Sequence, residues 1–267
     1  MLDLSGKRGL VTGASAGIGR EIARLLAKDL GALVLVARRA DRLEELAREL
    51  RASRPGLRVE VRAVDLVDRP ATGTLLDALE REGLAPDVLV NNAGFGDYGL
   101  FEERPWDKTE QMLELNVVSA TFLLRRVVPG MIARGFGAIM NLGSSAGMLP
   151  GVGMSTYAAS KAYLNHLSEA LRAELAGTGV SVTVVCPGPV PTEFQEVAGT
   201  RDRAPMPEAF HVDAVTCAEE AVDALRRGRA RVIPGAPMRA AVVSLESVPR
   251  VLVRPFLKKQ AARVRGR

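Results

Sequence analysis

The sequence holds few of the residues that staple or anchor a protein. Two cysteines, Cys186 and Cys217, stand in 267 residues, which excludes a disulfide framework. A reducing compartment, the cytoplasm, is the expectation. The two histidines, His166 and His211, lie far apart. No clustered His, Cys or carboxylate spacing suggests a metal site, and none is expected. Aromatic residues are 4% of the chain, and no run interleaves them with basic residues as a nucleic-acid module would, so nucleic acid is not an expected partner. The first residues, Met1 to Arg8, lack the apolar core of a secretion signal. No apolar run approaches the roughly 20 residues that cross a bilayer; the longest, such as Ala32–Ala37, have strand length. Acids are missing from the end of the chain, where Arg250 to Arg267 carries seven Lys or Arg and no Asp or Glu. Taking those seven from the net +5 leaves −2 over residues 1–249. A tail of this kind suits an anionic membrane surface or an acidic carrier, and equally a solvated terminal helix. Its basic residues alternate with Val251, Leu252, Val253, Phe256 and Leu257, a pattern compatible with peripheral membrane contact. Pro249 and Pro255 argue against one continuous helix there.

What is present is an ordinary globular composition, 47% hydrophobic and 25% charged. Short apolar runs alternate with amphipathic stretches. Strands are expected at Arg8–Val11, Ala32–Ala37, Arg58–Val64, Val88–Val90, Ala138–Leu142, Ser181–Cys186 and Arg231–Ile233. Helices are expected at Gly17–Leu30, Arg42–Arg51, Pro70–Gly83, Lys108–Arg134, Thr156–Gly177 and Ala218–Arg227. Repeated β-α alternation predicts the α/β class: one doubly wound, Rossmann-type parallel sheet with helices on both faces. Ligands of such sheets bind beyond the carboxyl ends of the strands. No Pro- or Gly-rich linker divides residues 1–267, so a single dinucleotide-binding domain is expected. Residues 193–214 lack periodicity and hold Pro205 and Pro207, which reads as a substrate lid. Residues 236–267 form a basic C-terminal extension.

Chemistry is concentrated at those strand ends. Thr12-Gly13-Ala14-Ser15-Ala16-Gly17-Ile18-Gly19 stands between the first strand and the first helix. A tight turn without Cβ atoms lets backbone approach phosphate, and a helix N-terminus offers free N–H groups. The second strand ends in Ala37-Arg38-Arg39, without the acid that usually holds an adenosine ribose 2′-hydroxyl. Two guanidiniums suit a 2′-phosphate, so NADP(H) is expected over NAD(H). A surface Arg pair facing solvent is the plainer alternative. Asp65-Leu66 follows the third strand, where a carboxylate can meet an adenine amino group, and Asn91-Asn92-Ala93-Gly94 follows the fourth. Tyr157 and Lys161 lie four apart and so share one helix face. An ammonium beside a phenol favours the phenolate, which would make Tyr157 an acid/base near neutral pH.

This ordered set resembles the classical short-chain dehydrogenase/reductase family. The motifs that carry the resemblance are Thr12-Gly-x-x-x-Gly-x-Gly19, Asn91-Asn-Ala-Gly94, Asn116, Ser144, Tyr157-x-x-x-Lys161 and Pro187-Gly188. They run from residue 12 to residue 188, in family order. The resemblance implies an oxidoreductase with Asn116, Ser144, Tyr157 and Lys161 as its catalytic set. Tyr157 would exchange a proton with the substrate oxygen and Ser144 would stabilise that oxygen. Lys161 would lower the Tyr157 pKa and hold ribose hydroxyls, and Asn116 would hold a water that links Lys161 to solvent. It also implies cofactor contacts from Gly13, Ser15, Gly17, Ile18, Gly19, Asn91, Ala93, Gly94, Pro187, Gly188, Val190 and Thr192. By the same resemblance the helices Lys108–Arg134 and Thr156–Gly177 would pack between subunits of a homodimer or homotetramer.

Uncharged, mostly apolar residues fill the stretch between Ser144 and Tyr157. With Phe95, Met148, Leu149, Met154, Phe194, Met206 and Phe210 they predict a hydrophobic substrate pocket beside Ser144. The reading is an NADP(H)-dependent enzyme that interconverts a hydrophobic aldehyde or ketone and its alcohol. A 3-oxoacyl-thioester reductase is the alternative within enzymes, although the long tail argues against it as first choice. A non-catalytic NADP-binding regulator is the alternative from another class, and the presence of Ser144, Tyr157 and Lys161 speaks against it.

Overall fold

Strands that are apolar along both faces can only be satisfied inside a sheet covered on both sides, and this chain has several. In the computed structural model, which describes residues 1–199, 207–246 and 248–266, seven strands form one parallel sheet. They are β1 (Arg8–Thr12), β2 (Ala32–Ala37), β3 (Arg58–Ala63), β4 (Val88–Asn91), β5 (Gly137–Leu142), β6 (Val180–Val185) and β7 (Arg231–Val232). Their order is β3-β2-β1-β4-β5-β6-β7. The chain winds outward one way from β1 and the other way from β4. The crevice between those two strands is therefore where a ligand meets the strand ends.

Alternate residues of each strand feed two cores. Leu33 and Leu35 of β2 point into one, with helices α1 (Gly17–Leu26), α2 (Ala40–Ser53) and α8 (Ala214–Arg226). Val34 and Val36 point into the other, with α3 (Arg69–Arg81), α5 (Ala120–Ala133) and α6 (Ser155–Glu174). The period-2 alternation of a strand and the 3.6-residue period of a helix thus meet on each face. Capping fixes several helix starts: Asp68 accepts from the Ala71 N–H before α3, and Asp213 from the Thr216 N–H before α8.

The long helix expected at Lys108–Arg134 has more internal structure than its sequence suggests. It runs as α4 (Trp106–Leu113), a π-helical stretch Glu114–Ser119, and then α5. Pro129 lies inside α5, where the amide it lacks would have served the carbonyl of exposed Arg125. By length and composition Trp106–Ala133 is apolar enough to cross a bilayer, with mean hydropathy 1.3. Charges interrupt it, so no uninterrupted apolar run flags it. Leu123, Leu124, Val127 and Met131 are buried in the second core, so this helix packs as a core helix.

Beyond β6 the structure departs further from expectation. The segment read as aperiodic contains α7 (Glu193–Ala198) and a 3₁₀ turn at Glu208–Phe210; residues 200–206 lie outside the described residues. The tail folds into α9 (Ala236–Glu246) and α10 (Arg250–Val264), and α10 runs through Pro255. That proline leaves the Val251 carbonyl without its helical donor, and exposed Val251 can offer the carbonyl to water instead.

Asp87, just before β4, ties the sheet to a helix end. Its carboxylate accepts from Arg8 Nε (2.8 Å) and Nη2 (2.7 Å), and from Arg134 Nε (3.0 Å). Burial pushes its pKa up, but the bonds from Arg8 and the Arg134 charge outweigh that and hold it below the ordinary carboxylate value. A depressed carboxyl adds stability above its unfolded pKa of 3.8 and loses it as pH falls through the folded value. Asp87→Asn is expected to lower unfolding stability by about 2 kcal/mol near neutral pH. Urea melts at a series of pH values would check this, because the deficit should shrink as pH falls below about 4.

Candidate active site

The crevice beyond the strand ends opens into one cavity of about 1110 Å³. Its first wall is the glycine-rich turn. Gly13 has φ +66°, a conformation that side chains rarely adopt. Gly19, in the first turn of α1, has no room for a Cβ, which would sit 2.3 Å from Asn92 Nδ2 and 2.5 Å from the Gly13 carbonyl oxygen. The Asn92 amide fills that space by donating to the carbonyls of Thr12 (2.9 Å) and Gly13 (3.2 Å). No side chain caps α1 and no acid stands in its first turn. Its leading N–H groups and positive dipole end are left for an anion.

Arg38, Arg39, Asp65 and Leu66 line the far end of the same cavity. Arg39 donates to the Ser15 hydroxyl at 3.1 Å and pairs with Glu193 at 2.8 Å across the cleft. Among the described residues Arg38 has no ion-pair or hydrogen-bond partner. An uncapped helix start, a Cβ-free turn and two guanidiniums at the second strand's end together fit a dinucleotide with phosphate at both places.

The opposite wall is built by β5 and α6. Tyr157, Lys161 and Asn165 recur every four residues on the buried face of α6. Lys161 Nζ donates to the Leu142 carbonyl at the end of β5 (2.7 Å). Asn165 Nδ2 donates to the Ser144 carbonyl at 3.1 Å, which fixes the loop after β5 against α6. The Ser144 hydroxyl accepts from the Ala146 N–H at 3.1 Å and neighbours the Tyr157 phenol, whose pKa it lowers. The Phe194 ring of α7 lies 5.6 Å from the Tyr157 ring and closes the site from above.

Burial dominates the electrostatics of this pair. Burial pushes the Tyr157 phenol up to about 12, with the Ser144 bond working the other way. Burial pushes the Lys161 ammonium down to about 8. Lys161 Nζ lies 6.0 Å from the Tyr157 ring centroid and donates to the Leu142 carbonyl. Desolvation disfavours both charged forms, which is why the two shifts run in opposite directions.

Of the expected cofactor residues, Gly13, Ser15, Gly17, Ile18, Arg38, Arg39, Asp65, Leu66, Ala93, Gly94, Tyr157, Lys161, Pro187, Gly188, Val190 and Thr192 all line the cavity. Gly19 and Asn91 do not. Gly19 provides clearance, and Asn91 is buried and donates to the Ala120 carbonyl at 3.0 Å. Asn116 stands behind the wall in the π-helical stretch. Its Oδ1 accepts from the Phe95 N–H (3.1 Å), and its Nδ2 donates to the Phe95 carbonyl (2.9 Å) and to Ser160 Oγ (3.2 Å). Its side chain therefore clamps the strand-end loop.

On the substrate side Phe95, Ser144, Leu149, Met154, Phe194 and Phe210 line the cavity. Met148 does not; it packs on the small core of Val184, Cys186, Ile233, Met238 and Val242. Met206 lies outside the described residues. The unexpected wall is the tail: Met238, Ala241, Val242 and Leu245 of α9 and Gln260 of α10 face the cavity. Their i, i+3, i+4, i+7 spacing in α9 is a readable amphipathic stripe, masked by attention to the tail's charge.

The short-chain dehydrogenase family model matches residues 7–202. An uncharacterized oxidoreductase of Myxococcus xanthus is 33% identical over 99% of this chain and 100% of its own length. The structure is similar to a short-chain dehydrogenase from Sphingobium yanoikuyae in complex with NADPH, at 32% identity and TM-score 0.80, covering 92% of this chain and 94% of that one. It is also similar to a short-chain dehydrogenase/reductase from Burkholderia phymatum in complex with NAD, at 26% identity and TM-score 0.80, covering 93% and 98%.

The buried lysine leaves a thermodynamic signature. Its folded pKa of about 8 lies below the ordinary 10.5. Between those values the unfolded lysine binds more protons than the folded one, so its contribution to stability rises with pH. Calorimetry of the cofactor-free protein between pH 8 and 10 should show the wild type gaining stability relative to Lys161→Met as pH rises, against the fall that buried Cys186 and Cys217, both pushed up to about 12, impose on both proteins. A slope unchanged by the substitution would mean that Lys161 is not the titrating group.

Proposed function

The chain belongs to the short-chain dehydrogenase/reductase family, an oxidoreductase family of alcohol and carbonyl groups, and on that premise we propose that it reduces a hydrophobic aldehyde or ketone with NADPH, or runs the reverse oxidation. One observation carries the reading: a single cavity has phosphate-suited groups on one wall, Ser144, Tyr157 and Lys161 on the other, and a mainly apolar end closed by α9.

When bound, the nicotinamide dinucleotide supplies the hydride. The remaining chemistry falls to this chain. The uncapped start of α1 takes the pyrophosphate, and Arg38 and Arg39 take the 2′-phosphate. Tyr157, protonated at neutral pH by its burial, gives its hydroxyl proton to the substrate oxygen as the alcohol forms. Ser144 hydrogen-bonds the same oxygen and stabilises the charge that develops there. Lys161 holds its ammonium behind Tyr157 and reaches the ribose hydroxyls. Phe194 and the walls Leu149, Met154 and Phe210 exclude water and select an apolar substrate. The described parts of residues 193–214, through Phe194 and Phe210, act as a lid over that end. The protein assembles as a homodimer or homotetramer through α5 and α6, where Ile132 and Tyr163 are exposed; light scattering that finds only single protomers would remove this part.

Cofactor preference is decided by charge. Arg38→Ala and Arg39→Ala are expected to weaken NADPH binding by about 10- to 100-fold each while leaving NADH nearly unchanged. Glu193 competes with a 2′-phosphate for Arg39, so Glu193→Gln should tighten NADPH a few-fold. Titration of cofactor fluorescence reads both, and equal effects on the two cofactors would overturn the NADPH assignment.

The reaction itself is tested by NADPH oxidation against aliphatic aldehydes, bulky cyclic ketones and 3-oxoacyl thioesters. Turnover of the free carbonyls is expected, with Tyr157→Phe lowering kcat/KM about 1,000-fold. Preference for the thioesters would move the assignment to acyl-chain reduction, and tight NADPH binding without any turnover would favour a binding protein.

A further inference from the structure

α10 is apolar on two sides, and only one of them is used. Val253, Leu257, Gln260, Ala261 and Val264 are partly covered and turn toward the body, where Gln260 reaches the cavity. The side that faces away carries Val251, Leu252 and Phe256, at 63%, 65% and 65% exposure. A helix that served only to close the cavity would be polar there. The same outward side continues into Lys259 and Arg263, with Arg254 and Lys258 beside it, all exposed. The helix holds no acid, and among the described residues none of these four cations has an ion-pair partner. Its far end is bounded by acids, for Arg265 pairs with Glu102 at 2.7 Å.

We propose that the outward face of α10 docks on an anionic lipid bilayer. Val251, Leu252 and Phe256 would enter the headgroup–acyl boundary while Arg254, Lys258, Lys259 and Arg263 reach the lipid phosphates. A surface of exposed large apolar residues flanked only by cations is complementary to an interface that is apolar below and anionic above. A second copy of the chain presents no such complement on this face, because like cations would oppose one another. Gln260 of the same helix lines the cavity. Docking therefore places the hydrophobic end of the site one helix diameter from the membrane, where a lipophilic carbonyl would be concentrated.

Co-sedimentation of the full chain with vesicles tests this, using phosphatidylcholine alone and phosphatidylcholine with phosphatidylserine. Binding is expected only to the anionic vesicles and should weaken as salt is raised. Reversing Lys258, Lys259 and Arg263 to Glu should weaken it by about 100-fold. The pair Leu252→Asp and Phe256→Asp should weaken it to a similar degree, although it touches no basic residue. All five positions are exposed, so the variants should keep the wild-type melting temperature and NADPH affinity. No binding to anionic vesicles, or equal binding to neutral ones, overturns the proposal. So does unchanged vesicle binding by the Leu252/Phe256 variant accompanied by a smaller assembly in light scattering, which would assign the face to a second copy of the chain.

Discussion

A buried ammonium organises this site. Lys161 has almost no contact with solvent, and its charge is held by the carbonyl of Leu142 at the end of β5. An ammonium in a low-dielectric interior is tolerated only if it is hydrogen-bonded or sheds its proton, and here both tendencies operate: the bond is made and the pKa falls to about 8. That bond fixes α6 against β5. It thereby sets where Tyr157 emerges one turn earlier and where Asn165 donates to the Ser144 carbonyl one turn later. Tyr157, Lys161 and Ser144 are brought together by one helix face set against one strand end.

The opposite wall depends on room rather than charge. A methyl group at Gly19 would strike the Asn92 amide and the Gly13 carbonyl, so the turn, the α1 start and the end of β4 are held at backbone distance. This close approach lets an uncapped helix terminus face the cavity. The ion pair between Arg39 and Glu193 spans the cleft between these parts and the segment after β6. Both partners are nearly half exposed, so the pair is weak, and a phosphate can displace the carboxylate.

Much of this was legible in order along the chain. The β-α alternation, the glycine turn, Arg38-Arg39, Ser144 and the Tyr157/Lys161 spacing all depend on neighbours in sequence, and strand and helix periods report them directly. The π-helical turn at Asn116 was not legible, because it arises where α4 and α5 must meet Phe95 and Ser160 from elsewhere in the chain. Met148 was read as a pocket residue from its neighbours, yet it turns toward Cys186 and Met238. Pro255 was read as a breaker, yet α10 runs through it, and the carbonyl left without a donor belongs to exposed Val251. The tail's charge drew attention to solvent, while Met238, Ala241, Val242 and Leu245 carried a helical stripe toward the cavity.

The sequence by itself determined the family and the doubly wound parallel sheet, because those follow from local periodicity and from spacings within single elements. Only the tertiary structure decided how far Tyr157 and Lys161 are buried and the far wall of the pocket. Protonation depends on how completely Tyr157 and Lys161 are removed from water. The wall depends on α9 and α10 folding back across strand ends that lie some two hundred residues earlier in the chain as well as beside them. Desolvation and long-range packing are sums over the whole fold, and no short stretch of residues encodes them.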